Sequence, residues 1–402
     1  MPRSPSPMQT AANPAIPVAV SGMAPAPRRI LMVVDGRYPA TGGAEMQARL
    51  LSAAFSREGH SVRVLVPHLE PERPRRETID GVPVHRLAYP RIKGFGAILL
   101  NLRFAAYLLR HQHEFDAIHI HMMHNLAGAA GWLRPWIRPT LTVKVSGAAE
   151  FQGGILDPSL RHKLVHRLLN AGAKRADAFQ CISRYTLEMM RGAGYPAAKL
   201  HHVPNAVDCA RFARRGETAG ALRVVFVGRH VAVKALDVLL QAWATVRRPA
   251  GAQLVLAGDG PERACLMTLA ETLGLADSVK FPGLVHDVPA LLATAAAYVQ
   301  PSYQEGLPNA VLEAMAAGLP VAATRISGHE DIIAEGDTGL LVPPGDPAAL
   351  AGALQRLLDD AALREHLGRR GAAYVATHFA IPVVLARLLE LYARPHSPTR
   401  PA

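Results

Sequence analysis

The chain has 402 residues, half of them hydrophobic, and a net charge of +12. This length predicts two domains with full hydrophobic cores. No uninterrupted apolar stretch reaches the roughly 18 residues that a membrane-spanning helix needs, so none is predicted.

The charge is unevenly distributed along the chain. Residues 1–208 contain 26 Lys and Arg against 14 Asp and Glu, whereas residues 209–402 contain 18 of each. A basic half predicts an anionic partner: a nucleic acid, a lipid headgroup or a phosphorylated substrate. We find no zinc-finger, RNP or helix-turn-helix signature and therefore expect no nucleic acid. Separated cysteines without a CxxC motif predict reduced thiols in a cytoplasmic protein (Cys181, Cys209, Cys265).

The first half predicts one α/β domain. Residues 1–27 are rich in Pro and Ala, and we expect a disordered tail rather than a signal peptide. From residue 28 onward, buried strands alternate with helices, which predicts a parallel sheet covered on both faces. The predicted strands lie at 28–35, between Gly59 and Pro67, and at 115–121, 140–147, 177–183 and 199–208. This N-terminal domain is expected to span residues 28–207.

The same pattern restarts after a predicted linker at 208–221. Further strands are predicted at 222–228, 252–260, 278–283, 295–302 and 320–324. The C-terminal domain is assigned to 222–378. A terminal helix at 379–395 is expected to cross back to the N-terminal domain, and 396–402 form a tail. The predicted architecture is α/β, with two doubly wound, Rossmann-like domains and a cleft between them.

The stretch "EGLPNAVLEAMAAGLPV" (Glu305–Val321) predicts a ligand-binding loop and a helix. Pro308 suits the first helical turn, and Gly318 followed by Pro320 ends the helix. Free backbone amides at a helix start form an anion site. Doubly wound folds bind ligands at the carboxyl ends of their strands, so the loop after strand 295–302 is a predicted ligand site.

Four motifs, in this order and spacing, carry a family resemblance. "TGGAEMQ" is a Gly-rich turn after the first strand, and "FDAIHIH" is a strand that ends in a histidine. "VGRHVAVKALDVLL" supplies a Gly-Arg pair and a lysine, and "EGLPNAVLE" is a Glu-x7-Glu element. From about Arg28 to Arg394 the chain resembles the retaining glycosyltransferases of family 4 (group 1). The resemblance implies the GT-B fold, with the acceptor side on the N-terminal domain and the nucleotide-sugar donor on the C-terminal domain.

The resemblance implies roles for the two glutamates of the Glu-x7-Glu element. Glu313 would hold the ribose and Glu305 the hydroxyls of the transferred sugar, because a carboxylate accepts hydrogen bonds from vicinal hydroxyls. Backbone amides near Gly306 and Leu307 would face the diphosphate. The alternative is an exposed Glu305 and a solvated Glu313 on a surface helix.

Two cations follow the first strand of the C-terminal domain. Arg229 and Lys234 would stabilise the negative charge that develops on the departing β-phosphate. The sequence has no Asp-x-Asp motif at a strand end, so we expect a metal-independent site and no cofactor besides the donor substrate. Ala235 stands where the family commonly has glycine after the lysine. The alternative is a solvated lysine and a surface ion pair.

Four further positions belong to the predicted site. Gly42 and Gly43 open a helix that the family places near the diphosphate and the acceptor; the alternative is a plain tight turn. His121, at a strand end, would contact the donor sugar, and Asn205 in the interdomain loop would approach the donor. His119 shares a strand face with His121, but no ligand set is complete, so no metal is predicted.

Two basic stretches, at 91–113 and 161–175, mix cations with apolar residues at helical spacing. One alternative is a helix that lies on a membrane surface and brings the enzyme to a lipid-linked acceptor. The other is an ordinary helix that covers the sheet. The first alternative predicts weak, reversible association with anionic membranes, at the inner face of the cytoplasmic membrane.

The predicted function is retaining transfer of a sugar from a nucleoside-diphosphate sugar to a hydroxyl acceptor. The expected acceptor is a lipid-linked or polysaccharide precursor in cell-envelope or exopolysaccharide synthesis. The alternatives on the same fold are a non-catalytic nucleotide-sugar-binding protein and a nucleotide-sugar epimerase. The Glu-x7-Glu element argues against the epimerase, and a degenerate binding protein would be expected to lose Lys234 or Glu305.

Overall fold

The computed structural model describes residues 26–40, 42–90, 92, 95–151, 154–160, 162–213 and 222–394. The predicted tails lie outside the described residues except for residues 26 and 27. Residues 214–221 of the predicted linker also lie outside them, and so do Arg91, Lys93 and Arg161 of the two basic stretches. Among the described residues, none of the helices combines the length and apolar character needed to span a membrane.

The N-terminal domain is built on an eight-stranded sheet in the order β3-β4-β2-β1-β5-β6-β7-β8. Its strands are β1 (Arg29–Val34), β2 (Ser61–Pro67), β3 (Arg76–Ile79), β4 (Val82–Leu87), β5 (Ala117–His121), β6 (Thr140–Val145), β7 (Ala178–Cys181) and β8 (Leu200–His202). Its helices are α1 (Gly43–Arg57), α2 (Gly96–His111), α3 (Asn125–Trp132), α4 (Ala148–Phe151), α5 (Leu164–Ala173) and α6 (Arg184–Gly192). All neighbouring strands are parallel except β3 and β4.

The antiparallel β3–β4 hairpin is absent from the sequence prediction. Its turn is Asp80-Gly81, and both residues have positive φ, 50° and 79°. Asp-Gly is the sequence typical of a two-residue hairpin turn with that backbone, so the signal was present and overlooked. The strand predicted at 199–208 is also shorter than expected, because the chain leaves the sheet after His202.

The predicted linker begins with a short helix, α7 (Cys209–Phe212), which is capped by the Asp208 carboxylate. The C-terminal domain then forms a six-stranded parallel sheet in the order β11-β10-β9-β12-β13-β14. Its strands are β9 (Arg223–Val227), β10 (Gln253–Ala257), β11 (Val279–Gly283), β12 (Ala297–Gln300), β13 (Val321–Thr324) and β14 (Leu340–Val342). Its helices are α8 (Leu236–Thr245), α9 (Arg263–Thr272), α10 (Val288–Ala293), α11 (Asn309–Ala316), α12 (Ser327–Glu330), α13 (Pro347–Asp359) and α14 (Ala361–His378). The three-residue β14 was not predicted.

The last helix, α15 (Ile381–Tyr392), belongs to the core of the N-terminal domain. Its apolar face packs with α1 against one side of the eight-stranded sheet, whereas α2, α3, α5 and α6 cover the other side. The hydroxyl of Tyr392 lies 2.7 Å from Nδ1 of His119 on β5, and Thr140 donates to the Tyr392 carbonyl at 3.2 Å. The chain therefore crosses between the domains twice, through the 204–208 loop and through α15.

Candidate active site

A cavity of about 400 Å³ lies between the two domains. Ligand pockets commonly have volumes of this order. Tyr185 on α6 contributes one wall from the N-terminal domain. The other lining residues come from loops at the carboxyl ends of C-terminal strands, where doubly wound folds bind ligands (Val233, Tyr303, Gln304, Glu305, Ile326, Ser327).

Glu305 is the acidic residue that lines this cavity, and several hydrogen bonds hold its carboxylate. One carboxylate oxygen, Oε1, accepts hydrogen bonds from Lys234 Nζ at 2.5 Å, Gln300 Nε2 at 2.8 Å and Ser302 Oγ at 2.8 Å. Burial alone would raise the pKa of Glu305, but the positive charge and hydrogen bond of Lys234 hold it below its ordinary value. The carboxylate is therefore ionised at neutral pH. Its second oxygen, Oε2, has no hydrogen-bond donor among the described residues.

A buried polar chain fixes the orientation of Glu305. The Tyr298 hydroxyl donates to Oε1 of Gln300 at 2.7 Å, so the amide of Gln300 must turn its nitrogen toward Glu305. Gln300 and Ser302 are both buried. Because each buried donor already has its acceptor, this network holds the carboxylate in one position without a bound ligand.

Lys234 ends a short 3-10 turn, Ala232–Lys234, after β9. The next residue, Ala235, is fully buried and adopts the left-handed conformation with φ 48° and ψ 43°. This is the position where the family commonly has glycine, and the alanine reaches the conformation that glycine favours. The substitution therefore leaves the lysine directed at Glu305.

Arg229 lies in the loop after β9, and its side chain is exposed. The loop is held by its neighbour, because the His230 amide donates to the Asp259 carbonyl at 2.9 Å. The two loops approach so closely that a Cβ on Gly258 would lie 1.8 Å from the Gly228 carbonyl oxygen, and Gly258 also has φ +135°. Only glycine fits there, so the backbone that presents Arg229 is fixed.

Glu313 lies in the second turn of α11, on the same loop–helix unit as Glu305. Burial raises its pKa to about 7, and the positive charge of Arg211 on α7 offsets the effect only in part. Glu305 and Glu313 therefore differ in protonation near neutral pH. Glu305 carries a fixed charge, whereas Glu313 is poised to gain or lose a proton.

His121 ends β5 and is fully buried. Burial, His119 and Lys144 all lower its pKa, so the ring is neutral. The His119 and His121 rings are 4.5 Å apart. Among the described residues, no group of three or more His, Cys, Asp or Glu side chains is placed to hold a metal ion. A neutral imidazole can still exchange one hydrogen bond with a sugar hydroxyl.

Gly43 and Asn205 meet at Asn309, the first residue of α11. Oδ1 of Asn309 accepts from Asn205 Nδ2 at 2.8 Å, and its Nδ2 donates to the Gly43 carbonyl at 3.2 Å. Gly42 is the N-cap of α1. Gln47 on α1 adds a paired contact with the backbone of Ala206, at 2.8 and 2.9 Å. The start of α1, the interdomain loop and the start of α11 therefore form one contact.

The two domains also touch through backbone at the cavity. A Cβ on Gly306 would lie 2.7 Å from the Ser146 carbonyl oxygen and 3.0 Å from Cα of Gly147. A second contact joins Arg184 on α6 to the carboxylate of Asp331, whose Oδ2 also accepts from the Arg184 amide at 2.6 Å. The domains are therefore closed over the cavity.

Known proteins resemble this chain in sequence and in fold. A family profile described as "Glycosyltransferase Family 4" matches residues 41–211, and one described as "Glycosyl transferases group 1" matches residues 221–360. The D-inositol 3-phosphate glycosyltransferase of Salinispora arenicola is 33% identical over 319 residues, which cover 69% of this chain and 68% of that protein. The chain belongs to the group 1, family 4 glycosyltransferases.

The predicted family and the GT-B fold are confirmed. The structure of HepE from Anabaena in complex with UDP superposes with a TM-score of 0.74 at 20% identity, covering 90% of this chain and 98% of that chain. The lipopolysaccharide core biosynthesis glycosyltransferase LpsE of Rhizobium meliloti is 35% identical over 188 residues. That match covers 47% of this chain and 54% of LpsE.

The structure gathers four of the ten predicted site residues of this glycosyltransferase into two groups. Lys234 and Glu305 are in direct contact, and the second group joins Asn205 to Gly43 through Asn309. Apart from Leu307, the other predicted residues make no hydrogen bond to either group among the described residues (Gly42, His121, Arg229, Gly306, Glu313). Leu307 is buried, and its carbonyl accepts from Asn205 at 3.4 Å.

Four polar residues of the site were not predicted from the sequence (Gln47, Gln300, Ser302, Asn309). Gln300 is the last residue of β12, and Ser302 follows it by two residues, shortly before Glu305; both are buried. Two polar side chains on one face of an otherwise apolar strand were a usable signal. Gln47 was likewise present in the quoted Gly-rich motif. Asn309 was present in the quoted Glu-x7-Glu element, but no local pattern indicates its role, because its three partners come from distant parts of the chain (Gly43, Gln47, Asn205).

Proposed function

We propose that this family 4 glycosyltransferase is a retaining, metal-independent enzyme whose donor is a nucleoside-diphosphate sugar. The observation that carries the proposal is the Lys234–Glu305 pair at the cavity. Three donors hold one oxygen of Glu305, and the other oxygen remains for a ligand hydroxyl. HepE, which shares the fold, binds UDP.

Each charged group has a separate task in the proposed reaction. Oε2 of Glu305 accepts a hydrogen bond from a hydroxyl of the transferred sugar, and Glu313 accepts from the ribose. Lys234 and Arg229 face the diphosphate and stabilise the charge that grows on the β-phosphate as its bond to the sugar breaks. Amides near Gly306 and Leu307 would complete the diphosphate site.

In the proposed arrangement Lys234 binds both Glu305 and the donor diphosphate. It neutralises Glu305 in the unliganded enzyme, so the carboxylate stays ionised despite its burial. An ammonium group carries three N–H donors, so two remain for phosphate oxygens while one is held by Glu305. The same pair therefore positions the sugar and stabilises the leaving group.

Retention of configuration follows from attack on the same face of the sugar. The site has no protein nucleophile assigned to the reaction. In the proposed step the bond from the anomeric carbon to the β-phosphate oxygen breaks, and the acceptor oxygen bonds to the same face. The released phosphate oxygen takes the acceptor proton. The neutral His121 would contact the sugar without competing for that proton.

We further propose a lipid-linked or polysaccharide precursor as the acceptor, in cell-envelope or exopolysaccharide synthesis. The similarity to LpsE supports this acceptor class. The positive charge confined to residues 1–208 supports weak peripheral association with the cytoplasmic face of an anionic membrane.

A donor screen tests the proposal. The purified full-length protein is incubated with UDP-, GDP- and ADP-sugars, and release of the nucleoside diphosphate is measured. We expect slow hydrolysis of one donor class by the wild type and at least about 100-fold less by Lys234→Ala, since oriented charges contribute on that scale. Equal hydrolysis by both proteins, or binding of every donor without turnover, would contradict the proposal.

A further inference from the structure

Helix α2 has apolar residues on two opposite faces. Leu100, Phe104 and Leu108 recur every four residues and are buried against the sheet. The opposite face carries a second stripe, which is exposed to solvent: Phe95 (62% exposed), Ile98 (54%), Leu102 (61%) and Leu109 (42%). These spacings of three, four and seven residues place all four side chains on one side of the helix. Packing against the sheet explains the first stripe and leaves the second without a protein contact to bury it.

Helix α5 repeats this feature on the same side of the molecule. Leu164, Val165 and Leu168 are 67%, 64% and 49% exposed. Both α2 and α5 pack against α3, which lies between β5 and β6 in the chain, so both belong to the same helical layer of the N-terminal domain. Isolated exposed apolar residues are ordinary, but exposed apolar stripes on two helices that pack against the same third helix indicate an interaction surface.

The charge around these stripes has one sign. Residues 91–113 and 158–176 contain nine Lys and Arg and no Asp or Glu. Exposed cations among the described residues lie on or next to both helices. Arg103 and Arg110 lie on α2, Arg167 lies on α5, and Lys163 directly precedes α5. Apolar side chains bordered by cations are typical of helices that lie in the interface of an anionic bilayer.

We propose that the exposed faces of α2 and α5, here called the α2–α5 surface, dock the protein onto an anionic lipid bilayer. The apolar stripes enter the boundary between headgroups and acyl chains, and the bordering cations bind lipid phosphates. A second copy of this chain fits the surface less well, because like charges would face each other. The purpose of docking, access to a lipid-linked acceptor, rests on the function proposed above, whereas the surface itself rests on exposure and charge.

Co-sedimentation with vesicles tests the docking surface. The full-length protein is mixed with vesicles of phosphatidylcholine alone or with phosphatidylglycerol added, at low and high salt. Four cations near an anionic surface predict binding at least about 100-fold stronger to anionic than to neutral vesicles, and release at high salt. The variant Ile98→Glu/Leu102→Glu should bind anionic vesicles at least about tenfold more weakly, because it removes apolar burial and adds repulsion. Met267→Glu, an exposed residue of α9, is the matched control and should bind like the wild type.

Three outcomes would overturn the docking proposal. These are equal binding to both vesicle types at low salt, unchanged binding by Ile98→Glu/Leu102→Glu, or equal weakening by Met267→Glu. A concentration-dependent dimer of the wild type, lost in Ile98→Glu/Leu102→Glu and without vesicle binding, would assign the surface to a second copy instead. Donor hydrolysis, measured on the same proteins without vesicles, separates the two proposals: a wild type that hydrolyses donor but ignores vesicles refutes docking alone.

Discussion

Replacement of Glu313 by Gln should stabilise the unliganded protein at pH 8 and weaken donor binding. The folded protein holds the pKa of Glu313 at about 7, whereas the ordinary value is 4.5. Above pH 7 the carboxylate is ionised inside the fold at a cost that the unfolded chain does not bear. That difference corresponds to at most about 3 kcal/mol, and less because the side chain keeps some contact with solvent.

The sign of the pH dependence follows from the raised pKa. Between pH 4.5 and 7 the folded state binds more protons at Glu313 than the unfolded state does, so this group lowers stability as pH rises. Glutamine is neutral throughout. The stability of Glu313→Gln relative to the wild type should therefore grow by about 1–2 kcal/mol from pH 5 to pH 8, or roughly 2–8 °C in Tm for a domain of this size.

Thermal unfolding of the wild type and Glu313→Gln at pH 5 and pH 8 checks this prediction. Glu271→Gln, at an exposed glutamate of α9, is the control and should show no such change. The wild-type KM for the donor should fall as pH rises through 7, since the ionised carboxylate binds the ribose hydroxyls, and this dependence should be lost in the variant. A relative stability that is the same at both pH values would refute the burial argument, and a donor KM independent of pH would refute the ribose role.

Three further predictions concern the site. Gln300→Leu removes one donor from Glu305 and should lower kcat about 10- to 100-fold with a smaller change in KM, because the carboxylate loses its fixed position; unchanged steady-state kinetics would contradict that role. Gly306→Ala places a Cβ 2.7 Å from the Ser146 carbonyl and should open the cleft, seen as lower turnover and a larger radius in small-angle scattering. Gly352→Ala, which meets no neighbour, is its control, and a Gly306→Ala enzyme as compact and active as the wild type would contradict the closed contact. Donor turnover should survive EDTA; loss that Mg²⁺ or Mn²⁺ restores would show that a metal carries the diphosphate charge.

Sequence patterns predicted the architecture because each element buries a recognisable face. The run "ILMVV" of β1 is wholly buried, as expected for a central parallel strand. The short strands β3 and β14 were not predicted, because neither has a recognisable apolar face. β14 has only three residues, too few to show a pattern. β3 has no buried residue, so its sequence shows little apolar alternation.

The contacts that define the site depend on positions far apart in the chain. Lys234 and Glu305 are 71 residues apart, and no local pattern states that their side chains meet at 2.5 Å. Gly147 shows the same limit, because its close approach to Gly306 exists only once the domains have closed. Helix α2 is a third case: its sequence is apolar around most of the helix, and only packing distinguishes the buried face from the exposed one.

The kinetics of Lys234→Ala and Glu305→Gln test whether this ion pair takes part in sugar transfer. Both are assayed with the donor that the wild type hydrolyses, and circular dichroism and thermal unfolding confirm folding. In Lys234→Ala the carboxylate of Glu305 keeps its bonds to Gln300 and Ser302, so we expect a folded protein. We expect each variant to lose about 100-fold or more in turnover. Near-normal turnover by either folded variant would contradict the assignment of this pair to the chemistry.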